Sequence, residues 1–200
     1  KWPQHFTFGV YSGAMAHGSH MSNGHKFGSR IDFGRPVGVT ASYQFTRLHG
    51  VRLMYENHAF SHNFRLTGGE SKVNELGVGY MFNLTNYFKG YDPRKRVNVS
   101  ATATVFGTLA KDNEKKWMGA RGEVGLLVNY RVIRKYLSLF AEPYLGITSD
   151  NYDTYKTQQG YDFFGGIRAG ATTDLGTFVY FADHVRSVKT DLYKPRYWWN

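Results

Sequence analysis

Alternation of apolar and polar residues with period two recurs along this chain in eight stretches. The clearest runs from Glu75 to Leu84. Leu76, Val78, Tyr80, Phe82 and Leu84 share one parity, and Glu75, Gly77, Gly79, Met81 and Asn83 the other. Val97, Val99, Ala101, Ala103 and Val105 repeat the pattern against Asn98, Ser100, Thr102 and Thr104. Successive side chains of a strand point to opposite faces, so each stretch predicts a strand with one apolar and one polar face. The polar parity carries glycines and charges of both signs, as the inside of a narrow tube would. The sheet is then inside out relative to a soluble one, the pattern of a transmembrane antiparallel up-and-down β-barrel.

Strands are predicted at 5–16, 30–46, 50–62, 72–88, 96–109, 118–132, 136–149 and 160–173. Most exceed the roughly 9–11 residues that cross a bilayer at a steep tilt, whereas soluble strands average about five or six. Thr46–Gly50, Lys89–Lys95, Ile133–Lys135 and Asp174–Gly176 read as short turns. His17–Gly28, Asn63–Lys72, Ala110–Trp117 and Ser149–Gly160 read as longer polar loops. Short and long alternate, as in barrels whose tight turns lie on one side of a membrane. The barrel is expected to occupy residues 1–176, with eight strands favoured over ten. Residues 177–200 contain strand-like Phe178–Val185 and aromatic-rich Tyr193–Trp199, read as additional strands or as a linker to a further domain.

Composition agrees with this reading. Aromatic residues make up 17% of the chain, and glycine occurs 23 times. The first suits girdles at the membrane interfaces, and the second relieves crowding in a lumen. Cysteine is absent, which excludes disulfides and thiolate chemistry. No apolar run reaches the roughly 18 residues that a spanning helix needs. The formal charge of +10 is spread over separate turns, such as Arg94–Arg96 and Lys111–Lys116. That spread suits solvated loops or anionic lipid head groups rather than nucleic acid.

If the apolar parity meets lipid, the opposite parity lists the lumen: Arg30, Asp32, Arg52, Glu56, Glu75, Arg121, Glu123, Glu142 and Arg168. Isolated charges there would each cost several kcal/mol, so acids and guanidinium groups are expected to pair in a network. Arginine outnumbers lysine in this set, as planar bidentate pairing favours. Eight strands enclose only enough space for their own side chains. Arg35 falls on the lipid parity of the second strand, beside Pro36. A bulge at Gly34–Pro36, or a position near the interface where the side chain snorkels, would accommodate it.

Candidate chemistry is sparse. His17, His20 and His25 are read in the first long loop, and His58 and His62 lead to the second. Imidazoles ligate Zn or Cu, but no cysteine or carboxylate completes a set, and no metal or other cofactor is expected. His20-Met21-Ser22-Asn23-Gly24 resembles the His-x-Ser-Asn-Ala/Gly motif of outer-membrane lipid A deacylases, where the His activates the Ser. In that family the motif lies on a late strand with an acid downstream to orient the His. Here it falls in the first loop and only Asp32 follows it closely. No catalysis is therefore expected.

Glu123 to Tyr130, and Leu139 through Phe140-Ala141-Glu142-Pro143-Tyr144 to Asp150, resemble outer-membrane barrel domains of Bacteroidota, in particular the N-terminal barrels of OmpA-like proteins there. The resemblance covers about a third of the chain. It implies an eight-stranded outer-membrane barrel, sometimes followed by a periplasmic peptidoglycan-binding domain that these residues do not include. The resulting expectation is a structural anchor or assembly partner in the bacterial envelope. Its partners would be outer-membrane lipid, lipopolysaccharide and other envelope proteins. A lipid A-modifying hydrolase and a small channel are the alternatives.

Overall fold

Stretches rich in β-branched and aromatic residues favour extended backbone, and here eight of them pair edge to edge. The computed structural model describes residues 5–18, 31–61, 70–92, 95–111, 116–133, 136–149 and 161–174. Its strands are β1 (His5–Gly18), β2 (Ile31–Gln44), β3 (His49–Ser61), β4 (Glu70–Asn83), β5 (Val97–Lys111), β6 (Lys116–Ile133), β7 (Leu137–Ser149) and β8 (Tyr161–Asp174). Each pairs antiparallel with the next, and β8 returns to β1, from Thr7 opposite Asp174 to Gly18 opposite Phe163. A closed sheet has no edge whose amides and carbonyls would go unpaired in hydrocarbon. Closure also decides between eight strands and ten, because β1 is satisfied on both sides. Residues 177–200 lie outside the described residues.

One end of the barrel, here called proximal, holds the start of β1, the finish of β8 and the connections 45–48, 84–96 and 134–136. The distal end holds the connections 19–30, 62–69, 112–115 and 150–160. The expected strict sorting of short and long connections needs correction. β5 and β6 extend to Lys111 and from Lys116, which shortens their distal link. The β4–β5 link is long because β4 stops at Asn83 instead of continuing to 88, and Leu84–Lys89 forms a helix, α1.

The cause lies in side chains that bond backbone more strongly than alternation can compete. Asn83 caps α1, its side-chain oxygen accepting from the Asn86 amide at 2.8 Å. Asn86 in turn donates to the Arg47 carbonyl at 2.8 Å, and Thr85 Oγ1 accepts from the Val99 amide at 2.8 Å. Gly90 ends the helix at φ 68°, a conformation that favours glycine. Lys95 Nζ then closes the end by donating to the Gly90 and Lys89 carbonyls.

Outward and inward parities match the alternation. Leu76 and Val78 are 63% and 60% exposed, while their neighbour Glu75 is 1% exposed. At the proximal rim the outward parity turns aromatic. Rings of Tyr80, His49, Phe82, Tyr87 and Phe88 touch in that order, and the Tyr80 hydroxyl meets His49 Nδ1. This is one arc of an interfacial girdle, carried onto α1 by exposed Tyr87 and Phe88.

Arg35 is exposed on the outer wall, and no bulge surrounds it. Ser12 opposite Val37 and Met15 opposite Gly34 keep one register, and Arg35 stays opposite Ala59 in β3. The β1–β2 ladder merely skips the positions beside Pro36, which has no amide hydrogen. Arg35 is the fifth residue of β2, roughly 10 Å along the barrel axis from its distal end. Two residues towards the proximal end, Val37 pairs with the outward amide Asn57, itself opposite Asn74. Asn57 Nδ2 and Tyr55 Oη both donate to Asn74 Oδ1, at 2.8 and 2.9 Å. The outer wall near Arg35 thus carries an amide pair among its apolar residues.

Candidate functional site

Inward parity delivers Arg52 and Glu56 from β3, Glu75 from β4, Arg121 and Glu123 from β6, Glu142 from β7 and Arg168 from β8 to one place. All seven are buried, at 4% exposure or less. Arg168 is the hub. Its Nη1 and Nη2 grip both Glu123 oxygens at 2.6 and 2.7 Å, and Nη2 also reaches Glu56 Oε2 at 2.7 Å. Arg121 Nη2 lies 3.1 Å from Glu56 Oε2 and 2.9 Å from Glu75 Oε2. Arg52 pairs with Glu142 at 2.7 Å and donates to Thr104 Oγ1. Threonines complete the carboxylates: Thr102 donates to Glu142 at 2.8 Å and Thr108 to Glu75 at 2.7 Å. Short charge-assisted bonds of this kind offset the desolvation of each ion.

Aromatic rings fill what the ions leave. The Arg121 guanidinium lies 4.1 Å from the Phe106 ring centroid, and that of Arg168 3.8 Å from the Tyr144 centroid. Met15, Val73, Tyr144 and Phe164 form an apolar layer on the distal side. Tyr11, Met54, Phe106 and Phe140, with Leu127 against them, form another. The rings need room that only glycine leaves. A Cβ on Gly77 would sit 2.5 Å from Phe106 Cδ1, and one on Gly146 would strike the Phe164 ring.

Of the nine charges expected in the lumen, seven therefore meet. Asp32 lies opposite His17 in the β1–β2 ladder, and its side chain is not among those described. Arg30 lies outside the described residues, as do His20, His25, His62 and the stretch 20–24. His58 corrects the reading of a loop-borne histidine group. It belongs to β3, is fully buried and faces the lumen, with Nε2 2.8 Å from Glu75 Oε2 and 3.2 Å from Glu56 Oε1. It shares parity with Arg52 and Glu56, so the alternation already contained the signal. The lumen threonines and rings were likewise legible only as parity, not as partners.

Glu56, His58 and Glu75 present three donor atoms within 4.8 Å of one another, a geometry that could hold a metal ion. Arg121 Nη2 is already within 3.1 Å of both carboxylates, so a cation would have to displace a guanidinium from a sealed interior. The chemistry this arrangement performs well is electrostatic cross-bracing, since its ion pairs tie five strands together across the tube.

A closed antiparallel eight-stranded barrel, apolar outside and ionic inside, defines the class of transmembrane β-barrels. Among solved structures the chain is similar to Neisserial surface protein A, at 14% identity and a TM-score of 0.55, over 83% of this chain and 96% of that one. It also resembles outer membrane protein OprG of Pseudomonas aeruginosa (10% identity, 87% and 96% coverage, TM-score 0.49). A third is Outer Membrane Protein W of E. coli (20% identity, 85% and 97% coverage, TM-score 0.45). The first establishes the shared fold. None of the three supports the finer kinship with Bacteroidota barrels. No family model matches the chain, and no curated protein does.

Proposed function

We propose that the protein is a bacterial outer-membrane barrel that serves as a rigid anchor and interaction scaffold. The observation that carries this reading is the filled lumen. Ion pairs, threonines and rings occupy the interior, and Phe106 and Arg168 have no exposed surface. That supports bracing over conduction. Specificity would then lie in the connections, since rigid scaffolds commonly display recognition on loops. Other envelope proteins and outer-leaflet lipid are the partners such a scaffold would meet, and a peptidoglycan contact would require a further domain.

The test begins with the purified chain folded into lipid vesicles. Heat-modifiable migration on a gel and protease-protected strands are expected, whereas a chain that stays monomeric in plain buffer would overturn the membrane reading. In planar bilayers no stable conductance steps are expected, and regular unitary steps would favour the channel. Mass spectrometry of lipid A exposed to the protein, and to its Ser22→Ala variant, is expected to show unchanged acyl chains in both. A Ser22-dependent loss of acyl chains would establish the hydrolase instead.

A further inference from the structure

Two asparagines interrupt the apolar parity of the outer wall at one place. Asn57 follows Val51, Leu53 and Tyr55 on β3, Asn74 precedes Leu76, Val78 and Tyr80 on β4, and the two are directly opposite each other. Exposed Val37 and Leu109 flank the pair in its row, and exposed Leu76 lies beside it. Asn74 Oδ1 accepts from Asn57 Nδ2 at 2.8 Å and from Tyr55 Oη at 2.9 Å, which uses both of its lone pairs. Among the described residues nothing else bonds to either asparagine side chain. Asn57 Oδ1 is left as an acceptor and the Asn74 amide group as a donor, side by side among valine and leucine.

An amide held against hydrocarbon with unused bonding capacity is unfavourable. Polar side chains of membrane-embedded segments relieve this by bonding across interfaces. Here the unused groups complement themselves. Two copies inserted in the same sense form a closed pair only about a two-fold axis along the membrane normal. Such an axis between β3 and β4 sets Asn57 of each copy against Asn74 of the other. Identical chains inserted alike hold their amides at the same depth, whatever that depth is. Barrel strands tilt by about 35–45°, so facing strands of the two copies cross, and contact concentrates at the axis where the amides stand. The ester carbonyl of a glycerophospholipid is an acceptor only, and would leave Asn57 Oδ1 without a donor.

We infer that the outer face of β3 and β4 is a dimer interface between two copies of this chain, closed by reciprocal hydrogen bonds from the Asn74 amide group to Asn57 Oδ1. The inference deepens the scaffold reading by naming a partner, and it rests on the membrane reading of the outer wall. Each hydrogen bond between membrane-embedded segments is worth roughly a three- to tenfold factor, so two contribute roughly ten- to a hundredfold to association.

The chain has no cysteine, so single thiols report position cleanly. Leu76→Cys lies beside the proposed axis and Leu145→Cys on the far wall, and both positions are exposed. In phospholipid vesicles with the protein highly diluted in lipid, oxidation is expected to yield disulfide dimers of Leu76→Cys and to leave Leu145→Cys monomeric. Energy transfer between donor- and acceptor-labelled Leu145→Cys chains then measures association. Adding Asn57→Leu and Asn74→Leu to that background is expected to weaken it at least tenfold, with the heat-modifiable gel shift confirming that the variant is folded.

Equal cross-linking at the two positions would overturn the interface. So would energy transfer no greater than random collision gives, or undiminished association after both amides are removed. A monomer that carries phospholipid in native mass spectra only when both amides are present would overturn it too, and would assign the pair to lipid. A parent chain that fails to insert into vesicles would refute the membrane reading as well, whereas an inserted but monomeric chain refutes the dimer alone.

Discussion

Removing Arg168 should expose how much the barrel depends on its internal ions. Its guanidinium makes two short bonds to Glu123 and one to Glu56, and it covers the Tyr144 ring. After Arg168→Met, the cations nearest Glu123 are Arg52 and Arg121, each at 3.6 Å, beyond good hydrogen-bond distance. Glu56 keeps Arg121 at 3.1 Å. Glu123 thus carries most of the loss, as a buried carboxylate stripped of both strong bonds. Breaking a buried pair from one side costs about 3–5 kcal/mol, and that range applies here. Glu123→Gln should cost a similar amount for the mirror reason. Arg168→Met with Glu123→Gln removes both members, and should be about 2 kcal/mol more stable than the sum of the single losses implies. Urea unfolding in micelles, followed by the heat-modifiable gel shift, measures all three. Singles costing under about 1 kcal/mol, or a strictly additive double variant, would refute the view that these ions brace the fold.

Other perturbations test the walls and the rim. Val78→Arg places a charge on an outward position in the middle part of β4, and should cost about 2–4 kcal/mol in a bilayer. A change within about 0.5 kcal/mol, as at an ordinary surface site, would mean that this face meets water. Gly77→Val should cost about 1–3 kcal/mol by driving a side chain into Phe106, and adding Phe106→Leu should recover much of it. Unfolding midpoints in urea report both. Asn83→Ala should lower stability by about 1 kcal/mol through loss of the α1 cap, and hydrogen exchange should rise at the Asn86 amide.

Much of the fold was legible because a strand's side chains alternate without exception while the backbone stays extended. Glu75 to Asn83 announced both its faces, and the inward parity named all seven acids and guanidinium groups that meet in the lumen. The reading failed where a local bond competed with the pattern. Phe82 and Leu84 prolong the alternation into residues that Asn83, Asn86 and Thr85 turn into a helix by bonding backbone groups. His58 was missed because proximity to a loop was weighed above its parity with Arg52 and Glu56.

Determined by the sequence alone were the two faces of every strand and the kind of medium each one requires, since parity and hydrophobicity are properties of neighbours in the chain. Left to tertiary structure were the number of strands in the ring and the partner of each buried charge. Those depend on register between strands, which the hydrogen-bonded closure of β8 onto β1 sets and which no single stretch of sequence contains.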